Sequence, residues 1–367
     1  MNVSLYNNRE LCSSKGRLYF YDNAKFILIL LVVLAHYLSP LMTAFPAVRV
    51  LWLTINSFHM PAFIFISGFF AKSYIAPDRT IKVQRTSTYI ILFLVSQLAV
   101  SMFEWFVLGE KFPFSLTNAR SSLWFLQCLI IWHLVLPYVA RFKASITIPA
   151  SIIMALYIGY ETQCGNFMAL SRVFVHFPFF LCGYYCAQAT LEKLFLNRIR
   201  IPLLLAGAAI VTLYAVFPKL GVGKLLTSNY PYALIDGIHT LPAPLYWAAR
   251  LGFYAAAFIL GAAFLSIIPR GKVLYSSLGS KSLSVYILHR FVYLAELHYN
   301  WANHFKTPLG AVLLGLIAIA CTILFSVKPF TVPFDWLQKI RIDRLLRKDA
   351  EDKSAVTEDN HRNSKIL

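Results

Sequence analysis

The sequence predicts an all-α fold: a polytopic membrane helical bundle of about ten transmembrane helices with both termini cytoplasmic. Three observations predict it. Of 367 residues, 58% are hydrophobic and only 14% charged, with a mean hydropathy of +0.62; a soluble protein of this length needs far more polar surface to cover its core. Apolar runs approaching the length of about 20 residues that crosses a bilayer recur along the chain. Between them, Lys and Arg fall unevenly on alternate sides.

The first span is expected near 26–45, the second near 50–71, the third near 87–109 and the fourth near 121–140. A shorter fifth follows near 145–160, then a sixth near 171–190 and a seventh near 200–217. The eighth, 242–267, is long enough to tilt. The ninth, 278–297, is the most polar, and the tenth lies near 308–327. The opening segment has no small-residue cleavage site behind its apolar stretch, so it reads as a retained span rather than a signal peptide.

Charge sets the expected orientation. One side collects Lys25, then Lys72, Arg79, Lys82 and Arg85, then Arg141 and Lys143, then Arg198 and Arg200, then Arg270 and Lys272, and finally the C-terminal tail. That side is expected to be cytoplasmic. The net charge of +18 is spread in small groups between apolar spans rather than gathered on a polar domain, which argues against nucleic acid as a partner and for a lipid bilayer. Three regions follow: a cytoplasmic segment 1–24, a membrane domain 25–330, and a tail 331–367 that begins as a basic amphipathic helix and ends without apolar periodicity. The longest outer loop, "PKLGVGKLLTSNYPYALIDGIHTLPAP", is either a cover for a site or a connector.

Polar groups inside spans are costly and therefore candidate functional groups. In "KFILILLVVLAH", His36 follows Lys25 by eleven positions. At about 100° per residue that returns to within about 20° of the same helix face, and it rises about 16 Å. A cation at the cytoplasmic mouth thus stands below an imidazole near mid-membrane; a buried histidine bonded to a neighbouring helix is the competing explanation. The second span, "NSFHMPAFIFISGFF", carries His59, a helix-bending Pro61, and Ser67 and Gly68, which admit a close backbone. In "DRTIKVQRTSTY", Arg79, Lys82 and Arg85 form a cluster suited to phosphates or, equally, to ordinary positive-inside bias. Trp124 opens "SSLWFLQCLIIWH", Arg172 and His176 lie in the sixth span, and Tyr286, His289 and Arg290 occupy one turn of the ninth. Cys182 and Cys186 are four apart with no flanking His or carboxylate, so they read as packing thiols and no metal is expected.

The ordered series "YDNAKFILILLVVLAH", "FHMPAFIFISGFF", a basic loop, "SSLWFLQ", "FPFFLCGYY" and "LGSKSLSVYILH" resembles the acyltransferase 3 family of integral membrane acyltransferases, most closely its fucose 4-O-acetylase-like sugar O-acetyltransferases. The likeness runs from about Arg17 to His289. It implies a ten-helix core in the bacterial plasma membrane that moves acetyl from cytoplasmic acetyl-CoA to a hydroxyl of a cell-surface or lipid-linked glycan. The family's motif of a basic residue, ten residues and a histidine falls on Lys25 and His36, with lysine where many members have arginine; Arg17 is an alternative phosphate ligand. The resemblance places the catalytic role on His36 and His59, and donor binding on Lys25, Arg17, Arg79, Lys82, Arg85 and Trp124. His36 would be either the base or a covalent acyl carrier. The alternative is a glycan exporter of the same family that transfers no acyl group, and small-residue stripes such as "GAAFLS" leave room for a homo-oligomer.

Overall fold

The structure is a computed structural model that describes residues 19–74, 83–217 and 221–340. All regular structure among them is helical: α1 Tyr19–Leu38, α2 Pro46–Ala71, α3 Val83–Phe106, α4 Trp124–Val139, α5 Ala144–Tyr157, α6 Leu170–Tyr185, α7 Gln188–Glu192, α8 Asn197–Val216, α9 Gly223–Thr227, α10 Trp247–Ile267, α11 Ser276–Gly279, α12 Ser282–Tyr299, α13 Pro308–Phe325 and α14 Lys328–Leu337. Each expected span coincides with one of these helices. Seven are long and apolar enough to cross a membrane: α1, α2, α3, α6, α8, α10 and α13, several extended at an end by a short 3-10 turn. Of the other three, α4 and α5 are shorter apolar helices of 16 and 14 residues. The third, α12, carries His289, Arg290, Glu296 and His298 along its length.

The largest difference from expectation is at the start. α1 begins at Tyr19, six residues before Lys25, because its first turns are buried rather than solvated. Asn23 is wholly buried; its amide donates to the carbonyls of Pro269 and Gly271 at 2.8 and 2.9 Å, and its oxygen accepts from Ser276 Oγ at 2.6 Å. A polar side chain so satisfied costs little to bury, so the helix runs on below the apolar stretch. His36 therefore sits past the midpoint of the Tyr19–Leu41 span, nearer its far end.

The centre of the bundle is α2 against α6, with α1 and α10 on either side of α2. Two glycines set that contact. A Cβ on Gly68 would stand 2.0 Å from the carbonyl oxygen of Phe180, and one on Gly183 would stand 2.0 Å from that of Phe65. The backbones meet where only hydrogen fits, as in small-residue helix pairs of membrane proteins. The crossing fixes which face of α2 looks toward α1 and which toward α6, and so where His59 points.

At the C-terminal end of α3, Arg120 grips the buried Glu104 bidentately at 2.8 and 2.9 Å, tying the 107–123 connection to the helix. At the other end of the molecule, α14 packs on α12 and α3. Asp335 there accepts from Lys281 at 2.6 Å. The N-terminal residues 1–18, the tail 341–367, and Arg17, Arg79 and Lys82 lie outside the described residues; Arg85 lies on α3, with its side chain outside them as well.

Candidate active site

Two cavities enter the bundle from opposite ends and back onto the same three side chains, Val32, Met60 and Tyr286. The first, of about 270 Å³, opens beside Lys25 and is lined by Thr88, Ser280, Ser282 and Gln338 at its mouth and by Phe63, Leu92 and Leu129 deeper in. The second, of about 120 Å³, is polar: His36, His59, His176, Asn56, Ser122, Trp124 and Arg172 line it. Beyond Thr227, which lines both, a vestibule of about 330 Å³ carries Arg49, Trp52, Lys224, Tyr230 and Asp236.

Each histidine is held differently. In α2, Nδ1 of His59 lies 2.7 Å from the Ile55 carbonyl. A carbonyl only accepts, so Nδ1 carries the proton and Nε2 keeps its lone pair for the cavity. His36 is half-buried, and its ring is hydrogen-bonded to no described residue. Its ring stacks on that of His289, centres 5.5 Å apart, and lies 5.0 Å from that of Tyr293. The turn around it is pinned by Ser39, whose hydroxyl donates to the His36 carbonyl at 2.7 Å and meets Tyr293 Oη at 3.0 Å. His176, one turn beyond Arg172 on α6, stacks on Trp124 at 5.5 Å, and the Arg172 guanidinium lies 5.0 Å over the same indole. Arg172 donates from Nε to the Thr227 carbonyl at 3.1 Å. Tyr286, on the seam, donates its hydroxyl to the Ser122 carbonyl.

His36 and His59, placed together by sequence reasoning, do share a cavity. Lys25 lines the other one, as expected for the near end of α1, but its ammonium is paired with Asp22 at 3.1 Å on the same helix. Trp124, grouped with the donor-binding residues by resemblance, lies in the cavity of the histidines, against Arg172. His133 is buried in neither cavity; its Nδ1 bonds the Leu129 carbonyl at 2.6 Å. Sequence reasoning left Arg172, His176, Tyr286 and His289 unassigned. The signal available for them was the presence of polar side chains inside apolar spans, but nothing local says which of them face one another.

Among the described residues no group of three or more His, Cys, Asp and Glu is arranged to hold a metal ion. The polar cavity is lined instead by imidazoles, with the Nε2 lone pair of His59 free, and by N–H donors, the equipment of proton transfer to or from a bound group.

Residues 18–327 match the family described as Acyltransferase domain. The chain belongs to the acyltransferase 3 family. The match begins one residue before α1 and ends after α13, so it takes in every residue of both cavities except Gln338. No curated protein and no solved structure matched this acyltransferase. It is a multi-pass membrane acyltransferase whose shared core holds both cavities, while α14 and Gln338, which follows it at the mouth beside Lys25, lie beyond the family domain.

Proposed function

We propose that the enzyme transfers acetyl from cytoplasmic acetyl-CoA, reaching through the cavity beside Lys25, to a hydroxyl of a cell-surface or lipid-linked glycan presented in the cavity of His36 and His59. The observation that carries the reading is the shared wall of Val32, Met60 and Tyr286; a donor from one end and an acceptor from the other would meet across it. The first cavity suits the donor's arm: long, mostly apolar, polar at its mouth. CoA phosphates would rest outside it on the basic end of the bundle, with Lys25 nearest.

The chemistry follows from the side chains. The Nε2 lone pair of His59 accepts a hydrogen bond from the glycan hydroxyl and orients it. His36, free of competing bonds, takes the hydroxyl proton as the oxygen attacks the thioester carbonyl carbon. The tetrahedral oxyanion needs donors, and the indole N–H of Trp124, bonded to no described residue, lines the same cavity. Collapse expels the CoA thiolate, which recovers the proton from His36; ester and free thiol leave by opposite ends. Should the acetyl instead rest on His36, the ring would be the nucleophile and a labelled acyl-histidine would accumulate without acceptor.

The test is acetyl-CoA turnover by purified protein in nanodiscs, with and without glycan acceptors, beside His36→Ala of verified fold. Thioester consumption and ester formation that vanish with His36 support the reading. Full turnover in the variant, or a folded wild-type protein that neither binds nor consumes acetyl-CoA, sinks it and moves the weight to glycan export.

A further inference from the structure

Among the described residues, the charges that line the histidine cavity and its vestibule do not balance. Four described ionised side chains line them, and three, Arg49, Arg172 and Lys224, are cations; the one anion among the four, Asp236, is paired with Lys224 at 2.9 Å. Behind them lies a further arginine. Arg250 is wholly buried. One of its terminal nitrogens reaches the Leu225 carbonyl at 3.3 Å and Ser228 Oγ at 3.5 Å, while Nε and the other terminal nitrogen are buried without a partner. Neither Arg172 nor Arg250 forms an ion pair with a described carboxylate. Guanidinium groups inside a membrane bundle are expensive unless something neutralises them.

Part of their role is plain. Arg172 and Arg250 hold the carbonyls of Thr227 and Leu225, the C-terminal end of the five-residue helix α9, and so keep the outer loop over the cavity. An amide or a hydroxyl would do the same without the charge. Arg172 also leaves its two terminal nitrogens with no bond to any described residue, at the Thr227 seam between cavity and vestibule and flat against Trp124. A planar fork with one edge anchored and the other open is suited to two parallel bonds to an oxyanion. Size says where that anion lies. The 120 Å³ cavity is smaller than ordinary ligand sites, whereas the 330 Å³ vestibule falls within their usual range of about 300–1,000 Å³. The reacting hydroxyl enters the small space and the body of the acceptor stays in the large one.

We infer that the acceptor is anionic: it carries a phosphate or a carboxylate close to the acylated hydroxyl, gripped by Arg172 within the positive field of Arg49 and Arg250. This rests on assigning the His36 cavity to the acceptor, and it deepens that reading by naming the acceptor's charge. A phosphate would be that of a lipid-linked or phosphorylated sugar, and a carboxylate that of an acidic sugar.

The test is a binding measurement that needs no donor and no catalysis, so its failure is distinguishable from failure of the acyltransferase reading. Glucose, glucuronate and glucose 1-phosphate are titrated into the full-length protein in nanodiscs, following tryptophan fluorescence. At least one charged sugar should bind tenfold or more tightly than glucose, and which one distinguishes the carboxylate from the phosphate source. The preference should fall with added salt, disappear in Arg172→Gln and persist in weakened form in Arg172→Lys, which keeps the charge but not the fork. Equal binding of all three, no binding of either charged sugar, or a preference that survives Arg172→Gln overturns the inference. The wild-type comparison alone decides it if the glutamine variant does not fold.

Discussion

The imidazole of His36 stacks on that of His289, with ring centres 5.5 Å apart and planes 26° from parallel. His289 is fully buried, and its Nδ1 is tied to the Val285 carbonyl at 2.7 Å. It lines neither cavity, so it acts as a fixed plate behind a ring that itself faces the substrate space. His36→Ala should lower kcat by about 10²–10⁴-fold, the usual worth of a general base. His289→Ala should lower it by up to about 100-fold, the cost of a misplaced catalytic group. His289→Phe, which keeps the plate, should recover most of that loss while KM for acetyl-CoA stays unchanged. Steady-state kinetics in nanodiscs check this, and equal damage by Ala and Phe would assign His289 a chemical role instead.

At the α2–α6 crossing, Gly68→Ala or Gly183→Ala drives a methyl to within 2.0 Å of a backbone oxygen. The helices must part, at a cost of about 1–3 kcal/mol or more. Both variants should melt at lower temperature in detergent, and activity should drop because His59 and His176 ride on the displaced faces. An unchanged melting curve would mean the two backbones are not in contact.

Gln338 lines the mouth of the cavity beside Lys25 and follows directly on α14, beyond the family domain. Gln338→Trp should fill that mouth and raise KM for acetyl-CoA, leaving KM for the acceptor as it was. A rise in acceptor KM instead would reverse the assignment of the two cavities.

Cys186, just past the end of α6, is half-buried and burial pushes its thiol above the ordinary cysteine range, with the Lys72 ammonium opposing the shift. A raised value means less thiolate at neutral pH, so its alkylation should be slower than a free cysteine's at pH 7 and climb only at more alkaline pH. Removing the opposing cation in Lys72→Ala should move the curve further up. Residue-resolved mass spectrometry after maleimide labelling reads both, and a labelling curve matching free cysteine would contradict the burial.

Much of the fold was legible in local windows, because apolar length is a local property: each expected span became a helix. The N-terminal boundary was not, since Asn23 is bonded to residues some 246 and 248 positions away and reads as solvated without them. In the site, Lys25 and His36 on one helix face, and His59 beside a proline break, were visible because helical periodicity places them. The surroundings of Trp124 were not visible for the opposite reason: its partners Arg172 and His176 come from another helix.

What the sequence determined by itself was a membrane bundle, its family, and which polar side chains it could not avoid burying. Only the tertiary structure decided that His36, His59, His176 and Arg172 share one cavity, that Lys25 opens onto another, and that the two meet at Val32, Met60 and Tyr286. The reason lies in helix rotation. A span's apolar composition is nearly the same on every face, so the facing of each helix is fixed by close backbone contacts such as Gly68 on Phe180 and Gly183 on Phe65, which pair residues more than a hundred positions apart.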